Sequence, residues 1–202
     1  EALISEGVTL IITVDVGNTA VAEVANAMSQ GTDIIVTDHH TMLGSDTGGI
    51  PVATAVVHPE IGEYPNKAVC GAGVAYHLVR AFIQKYGKDF DIPEGFEKWS
   101  LDLVGFATLS DMVSLTGENR TLVYYGMMVM KKTKRIGLQI LFQKNYINMQ
   151  NLVESDLTFT VAPRLNAASR MDTPMLAFDL LSTDDPVLAT AIVDKLDKIN
   201  NE

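Results

Sequence analysis

The sequence has little cysteine, no long apolar run and few positive charges, and each shortage excludes a class of protein. Cys70 is the single cysteine among 202 residues, so no disulfide forms within the chain. No apolar run approaches the roughly 18 residues that a membrane-spanning helix requires. The first residues show neither a basic leader nor a cleavage signal, and we therefore expect a cytoplasmic protein.

The charge balance is strongly acidic, with 15 lysines and arginines against 25 acidic residues and a net charge of -10. A broad basic face that binds nucleic acid non-specifically is therefore not expected. A local site is compatible with this charge, because carboxylates gathered around divalent cations are strongly negative until the bound ions reverse the local field.

The first 85 residues predict an α/β portion built on a parallel sheet. Three short, apolar, β-branched runs have the composition of buried strands, at residues 9–15, 33–37 and 54–59. The segment between the first two runs keeps apolar residues at helical spacing, and Asn18 or Thr19 is predicted to cap that helix.

The chain from residue 86 to 202 is predicted to be mostly helical. Segments with an apolar face at helical spacing cover residues 71–87, 96–113, 118–132 and 185–200. The predicted fold class is therefore α/β, a parallel sheet flanked by helices that continues into a mostly helical C-terminal part. Both ends of the chain lie in helix-like sequence, so we expect a fragment of a longer protein.

Acidic and imidazole side chains follow the first two predicted strands. Asp15 ends the first strand, and Asp38, His39 and His40 follow the second. Because ligands collect at the carboxyl ends of parallel strands, we expect these side chains to face one crevice. Carboxylate and imidazole together suit manganese, magnesium, zinc or iron, whereas a structural zinc site normally uses thiolates.

Asp111 lies near the end of a strongly apolar predicted helix, in ATLSDMVSLTGENR. We expect it to be buried and to have a partner. The alternative is a helix-end residue, or a cap for the segment that begins near Gly117. Each histidine alone also suits a hydrogen-bonded structural role, and Asp15 alone suits a turn before Gly17. Their joint occurrence favours a metal site.

Five segments carry a family resemblance: LIITVDVGNTA, DIIVTDHHTM, VCGAGVAYHL, SLDLVGFATLSDMVSLTGENRTLV and TFTVAPRLNAASRM. They resemble the DHH phosphoesterases, and within that family the single-strand-specific exonucleases. The DHH triplet alone is shared with a family of pyrophosphatases and with phosphodiesterases of short oligonucleotides or cyclic dinucleotides. GENR and APRLNAASR favour the exonuclease branch.

The resemblance implies a site for two divalent metal ions, manganese or magnesium. Asp15 matches the bridging aspartate, His39 a histidine ligand and Asp111 a further carboxylate ligand. Asp38 matches a residue that supports its neighbours, and His40 matches one that faces the scissile phosphate. The family's aspartate-rich turn would precede residue 1, so we expect this fragment to bind metal weakly or singly.

Arg164 and Arg170 flank the segment PRLNAASR, where the resemblance implies contacts with the nucleic-acid backbone. Guanidinium groups suit phosphate oxygens because their contacts are bidentate. The alternative is that each arginine pairs with a nearby carboxylate such as Asp172 or Asp156.

The resemblance implies the catalytic core of a metal-dependent exonuclease that degrades single-stranded DNA from 5′ to 3′, in DNA repair and recombination. A helicase or a single-strand-binding protein is an implied partner. Alternatives are a phosphodiesterase of short oligonucleotides or cyclic dinucleotides, and a catalytically silent scaffold. We expect the isolated fragment to be inactive. His58, before a proline, and His77, within a helix, are predicted to be structural.

Overall fold

The structure is a computed structural model that describes residues 2–42, 49–170 and 174–201, with the side chains of residues 169 and 170 outside the described set. The chain divides into two compact units. Unit 1 comprises residues 1–97 and 113–121, and unit 2 comprises residues 98–112 and 122–202. The sequence-based boundary at residue 85 falls inside a helix that ends at Tyr86.

Unit 1 contains a three-stranded parallel sheet in the order β1-β2-β3. The strands are β1 (Leu10–Val14), β2 (Asp33–Thr37) and β3 (Ala55–Val57). The helices are α1 (Ala2–Ser5), α2 (Val21–Ser29) and α3 (Gly71–Tyr86). A parallel sheet flanked by helices confirms the predicted fold class.

The strand register brings the carboxyl ends of the strands to one edge. Val14 pairs with Thr37, which in turn pairs with Val57. Asp15 and Asp38, the next residues of β1 and β2, therefore both begin loops at the same edge of the sheet. This placement follows because the three β-branched strands end at residues that pair with one another across the sheet.

Helix α2 packs its apolar face on the sheet, and the small core consists of Val24, Ala27, Ile34 and Val36. The predicted cap is wrong, because the helix begins after Ala20 and has no side-chain cap hydrogen bond. The Asn18 side chain instead donates to backbone carbonyls beyond β2. A tertiary contact thus replaces the local capping interaction.

Unit 2 is helical, as predicted. Its helices are α4 (Leu101–Ser110), the second half of α5 (Gly117–Met130), α6 (Ile136–Lys144), α7 (Glu154–Asp156), α8 (Ala162–Arg170), α9 (Met175–Ser182) and α10 (Pro186–Asn201). A π-helical turn covers Leu157–Val161, and 3-10 turns cover Phe96–Ser100 and Met149–Asn151. Among the described residues, no helix is both long and apolar enough to cross a bilayer.

Helices α4 and α5 cross at two glycines within unit 2. A Cβ on Gly126 would lie 2.7 Å from the Cα of Gly105 and 2.7 Å from the carbonyl oxygen of Leu101. Such distances are shorter than real Cβ contacts, so the two backbones approach closely because neither residue has a side chain.

A buried carboxylate anchors the start of α4. Asp102 is 2% exposed. Its Oδ2 accepts hydrogen bonds from the Thr133 hydroxyl at 2.8 Å and from Arg135 Nε at 3.1 Å. Arg135 Nη1 also donates to the carbonyl oxygen of Leu181. The network joins α4 to the turn before α6 and to the end of α9.

Candidate metal centre

Asp15 leaves β1 in the left-handed backbone region, with a φ of 63°. Its N–H donates to the carbonyl oxygen of Thr37 at 2.9 Å, so the sheet ladder continues one residue past the strand. The side chain is 55% exposed, and its Oδ1 lies 3.1 Å from His39 Nε2. The ends of β1 and β2 thus place a carboxylate beside an imidazole.

Asp38 organises the DHH turn from inside the protein. It is 1% exposed and accepts hydrogen bonds from the backbone N–H groups of Asn18 (2.9 Å), His39 (2.8 Å) and His40 (3.3 Å). His40 Nδ1 lies 2.7 Å from Asp38 Oδ1. Burial alone raises the pKa of the Asp38 carboxyl group, but the hydrogen bonds, with Asn18 first and the His40 ring next, hold this pKa below its ordinary value. The ionised acceptor therefore fixes the turn, and the role of Asp38 in a metal site stays a prediction.

The His40 backbone is held by two further side chains. Asn18 Nδ2 donates to the His40 carbonyl oxygen at 2.8 Å. His58 Nδ1 accepts from the Glu60 N–H at 3.1 Å, so His58 Nε2 carries the proton and donates to the same carbonyl at 2.8 Å. His58 thus has a structural role, which is to hold the DHH turn through the carbonyl oxygen of His40.

Asp15, His39 and His40 form a compact set of potential metal ligands. One ligand atom from each residue lies within 4.8 Å of the others. Two neighbouring ligands of an octahedral ion with bonds of about 2.1 Å lie about 3.0 Å apart. The 3.1 Å between Asp15 Oδ1 and His39 Nε2 fits that spacing. Nitrogen and oxygen donors without thiolate suit a hard or borderline divalent ion.

Residues 1–108 match the N-terminal domain of the DHH family. The chain belongs to the DHH family. Among DHH relatives, the single-stranded-DNA-specific exonuclease RecJ of Escherichia coli K12 is 37% identical over 206 residues, which covers 97% of this chain.

Two solved DHH structures are also similar to this chain, and both contain a divalent metal. The crystal structure of RecJ in complex with Mn2+ from Thermus thermophilus matches with a TM-score of 0.84 at 32% identity over 99% of this chain. The Mg2+ complex from the same organism matches with a TM-score of 0.72 at 31% identity over 96% of this chain.

The chain is much shorter than these relatives. It spans 35% of the Escherichia coli protein, 29% of the chain in the Mn2+ complex and 26% of the chain in the Mg2+ complex.

Asp111 lies at the C-cap of α4, and its N–H donates to the Ala107 carbonyl at 2.8 Å. The expectation that it is buried is wrong, because its side chain is exposed. The helix ends there, and Met112 turns the chain with a φ of 56°, so the apolar face of the helix stops before Asp111. Asp111 belongs to unit 2, and its role as a ligand of the DHH site stays a prediction.

Arg164 has a carboxylate partner in unit 2. Its Nε donates to Asp197 Oδ1 on α10 at 2.5 Å, and its side chain is 19% exposed. Asp156 instead accepts from a backbone N–H at the start of α7, so it is not the partner. The side chain of Arg170, and Asp172, lie outside the described residues. Nucleic-acid contacts by either arginine stay predictions.

The GENR motif fixes the segment that leads into α3. Glu118 accepts hydrogen bonds from the Tyr64 hydroxyl at 2.8 Å, from His77 Nε2 at 3.1 Å and from Asn66 Nδ2 at 3.1 Å. Asn66 Nδ2 also donates to Asn119 Oδ1 at 2.8 Å.

Burial and the contact with Glu118 raise the pKa of Tyr64 to about 12. Burial lowers the pKa of His77 despite the Glu118 charge. Sequence reasoning missed Glu118 and Asn119.

Proposed function

We propose that this chain is the core of a DHH-family exonuclease that hydrolyses phosphodiester bonds of single-stranded DNA in the 5′-to-3′ direction. The observation that supports this most is the approach of Asp15, His39 and His40 to within 4.8 Å at the carboxyl ends of two parallel strands. Single-stranded DNA is the proposed substrate because the similar RecJ proteins are named single-stranded-DNA-specific exonucleases.

The proposed cofactors are two divalent ions, manganese or magnesium, which when bound supply a water nucleophile at neutral pH and offset the charge of the phosphate oxygens. Asp15 and His39 would hold these ions, and Asp111 is proposed as a further carboxylate ligand. Asp38 keeps both histidines of the turn in place through their N–H groups.

His40 is proposed to act on the substrate through Nε2. Its Nδ1 lies 2.7 Å from the ionised Asp38, so Nδ1 donates to that carboxylate and the ring orientation is fixed. Nε2, when protonated, donates to a phosphate oxygen or to the leaving oxygen. The side chain is 59% exposed, which leaves it accessible to a bound strand.

Arg164 and Arg170 are proposed to contact the DNA backbone, and the pairing of Arg164 with Asp197 supplies a test. Arg164→Ala and Asp197→Asn both break the ion pair. If Arg164 binds DNA, only Arg164→Ala weakens strand binding and lowers the salt slope by about one. Equal binding and equal salt slopes in both variants would show that the pair is structural.

The wider role proposed is DNA repair and recombination in the cytoplasm, together with a helicase or a single-strand-binding protein. The resemblance to the exonuclease branch supports this role. Pull-down of the intact parent protein with purified single-strand-binding protein tests the partner directly, and no retention above an unrelated acidic protein would remove that partner.

Cleavage by the intact parent protein tests the proposed ligands. Asp15→Asn, His39→Ala and Asp111→Asn are each expected to reduce cleavage of a long single strand by orders of magnitude, with circular dichroism unchanged. Glu23→Gln, a charge change on α2, is the matched control and is expected to retain activity. Near-normal turnover in a variant would remove that residue from the ligand set.

Two comparisons separate the alternatives. Faster turnover of dinucleotides than of long single strands would favour a short-substrate phosphodiesterase. Residues 1–202 alone are expected to show little or no cleavage with manganese, because further ligands are proposed to lie in the longer parent. Robust processive hydrolysis by this chain would show that those ligands are dispensable.

A further inference from the structure

Gly71, the first residue of α3, lies directly against the carboxylate of Asp15. A Cβ on Gly71 would lie 2.1 Å from Asp15 Oδ1, 2.5 Å from its Cγ and 2.7 Å from its Cβ. Real Cβ atoms essentially never approach another heavy atom within 3.0 Å. Any side chain at position 71 must therefore displace the Asp15 side chain or the start of α3.

The oxygen that meets Gly71 is the one that faces His39. Asp15 Oδ1 lies 3.1 Å from His39 Nε2, with the Gly71 backbone also beside it. Because Asp15 is 55% exposed, its carboxylate can swing into solvent without disturbing the core. A methyl group at position 71 would thus turn this carboxylate away from His39, and its contact with Asp15 Cβ at 2.7 Å would also shift the backbone after β1.

The start of α3 has little freedom to retreat from Asp15. Val69 and Cys70, which precede the helix, are 1% and 2% exposed. Immediately before them, Asn119 Nδ2 donates to the Ala68 carbonyl at 2.8 Å, and Glu118 holds Asn66. The VCGAG and GENR segments together fix the backbone of position 71, so Asp15 is the residue that yields.

We propose that Gly71 is a positioning residue for the metal site, because its missing Cβ sets the place of Asp15 Oδ1 relative to His39 Nε2. This rests on the proposed function, since that function makes the two side chains metal ligands. The role is steric, and it explains why a small residue stands at the first position of α3.

Manganese binding to the 202-residue chain tests the proposal without relying on activity. Gly71→Ala is compared with wild type, with Asp15→Asn and with Ala81→Ser, which adds one atom at an exposed position of the same helix. The free Mn2+ signal in electron paramagnetic resonance gives the affinity. We expect Gly71→Ala to lose roughly tenfold or more, close to Asp15→Asn, and Ala81→Ser to match wild type. Wild-type affinity in Gly71→Ala would overturn the proposal.

Thermal unfolding and a crystal structure separate the steric role from the metal role. The midpoint of Gly71→Ala is expected to fall, because the added methyl group meets Asp15 Cβ at 2.7 Å, a contact that rotation of the carboxylate does not relieve. Adding Asp15→Gly must then restore it, and failure to do so overturns the proposal. In the Gly71→Ala structure, the gap between Asp15 Oδ1 and His39 Nε2 is expected to exceed about 3.5 Å. An unchanged gap in Gly71→Ala refutes the positioning role. A wider gap in Gly71→Ala, found together with no Mn2+ binding by the wild-type chain, would refute only the proposed metal site.

Discussion

Replacement of Asp102 by alanine tests whether one buried carboxylate stabilises unit 2. The change removes the acceptor of Thr133, which is 3% exposed, and the partner of Arg135. Loss of one member of a buried ion pair destabilises a protein by about 3–5 kcal/mol. Because the Arg135 side chain is 32% exposed and regains water, we expect the lower limit, about 3 kcal/mol. The same network anchors α4, whose C-cap is Asp111.

Urea unfolding followed by tryptophan fluorescence measures the free energy of unfolding of unit 2, where the substitution lies. Trp99 is the single tryptophan of the chain, and it lies in unit 2 just before α4. Asp102→Asn keeps the shape and one acceptor, so a smaller loss of about 1–2 kcal/mol is expected. The double variant Asp102→Ala, Arg135→Ala should lose less than the sum of the single changes, by about 1–3 kcal/mol. A loss below about 1 kcal/mol in Asp102→Ala, or strict additivity, would refute the reasoning.

Three further predictions concern other parts of the structure. His58→Leu removes a donor to the His40 carbonyl and should weaken Mn2+ binding by roughly tenfold, while His58→Asn should weaken it less; equal losses would contradict the hydrogen-bond role. The raised pKa of Tyr64, about 12, means that its contribution to stability is complete below about pH 10 and is lost as the pH rises towards 12. Tyr64→Phe should therefore lose less stability than wild type between about pH 10 and about pH 12 in urea unfolding, and parallel curves would contradict the raised pKa of Tyr64. Gly126→Ala should destabilise unit 2 by about 1–3 kcal/mol in the tryptophan assay, since its methyl group meets the backbone of α4, and an unchanged midpoint would contradict that crossing.

The sheet, and the side chains at the carboxyl ends of its strands, could be predicted from local sequence. β2 occupies the predicted residues 33–37, and β1 and β3 lie within the predicted runs. Runs of β-branched apolar residues determine such strands locally, and parallel topology then places Asp15 beside His39. Helices α6, α8 and α9 were not predicted individually, because eight or nine residues give too few helical turns for an apolar periodicity to be distinctive.

The parts of the site that could not be predicted depend on long-range contacts. Asn18 and His58 hold the His40 carbonyl across 22 and 18 positions of the chain, and no local pattern encodes such pairs. Asp111 was expected to be buried because its neighbours are apolar, yet composition does not show at which residue a helix ends. The contact of Gly71 with Asp15 likewise arises only when α3 is placed against the sheet.

The φ of 63° at Asp15 carries an evolutionary consequence. Glycine adopts this backbone conformation without steric conflict and asparagine tolerates it, so glycine there would relieve strain of about 1 kcal/mol while deleting the carboxylate. A library sorted purely for folding would drift away from aspartate at this position. The proposed role of Asp15 as a metal ligand requires the carboxylate, so selection for that role and selection for folding alone would act on this position in opposite directions.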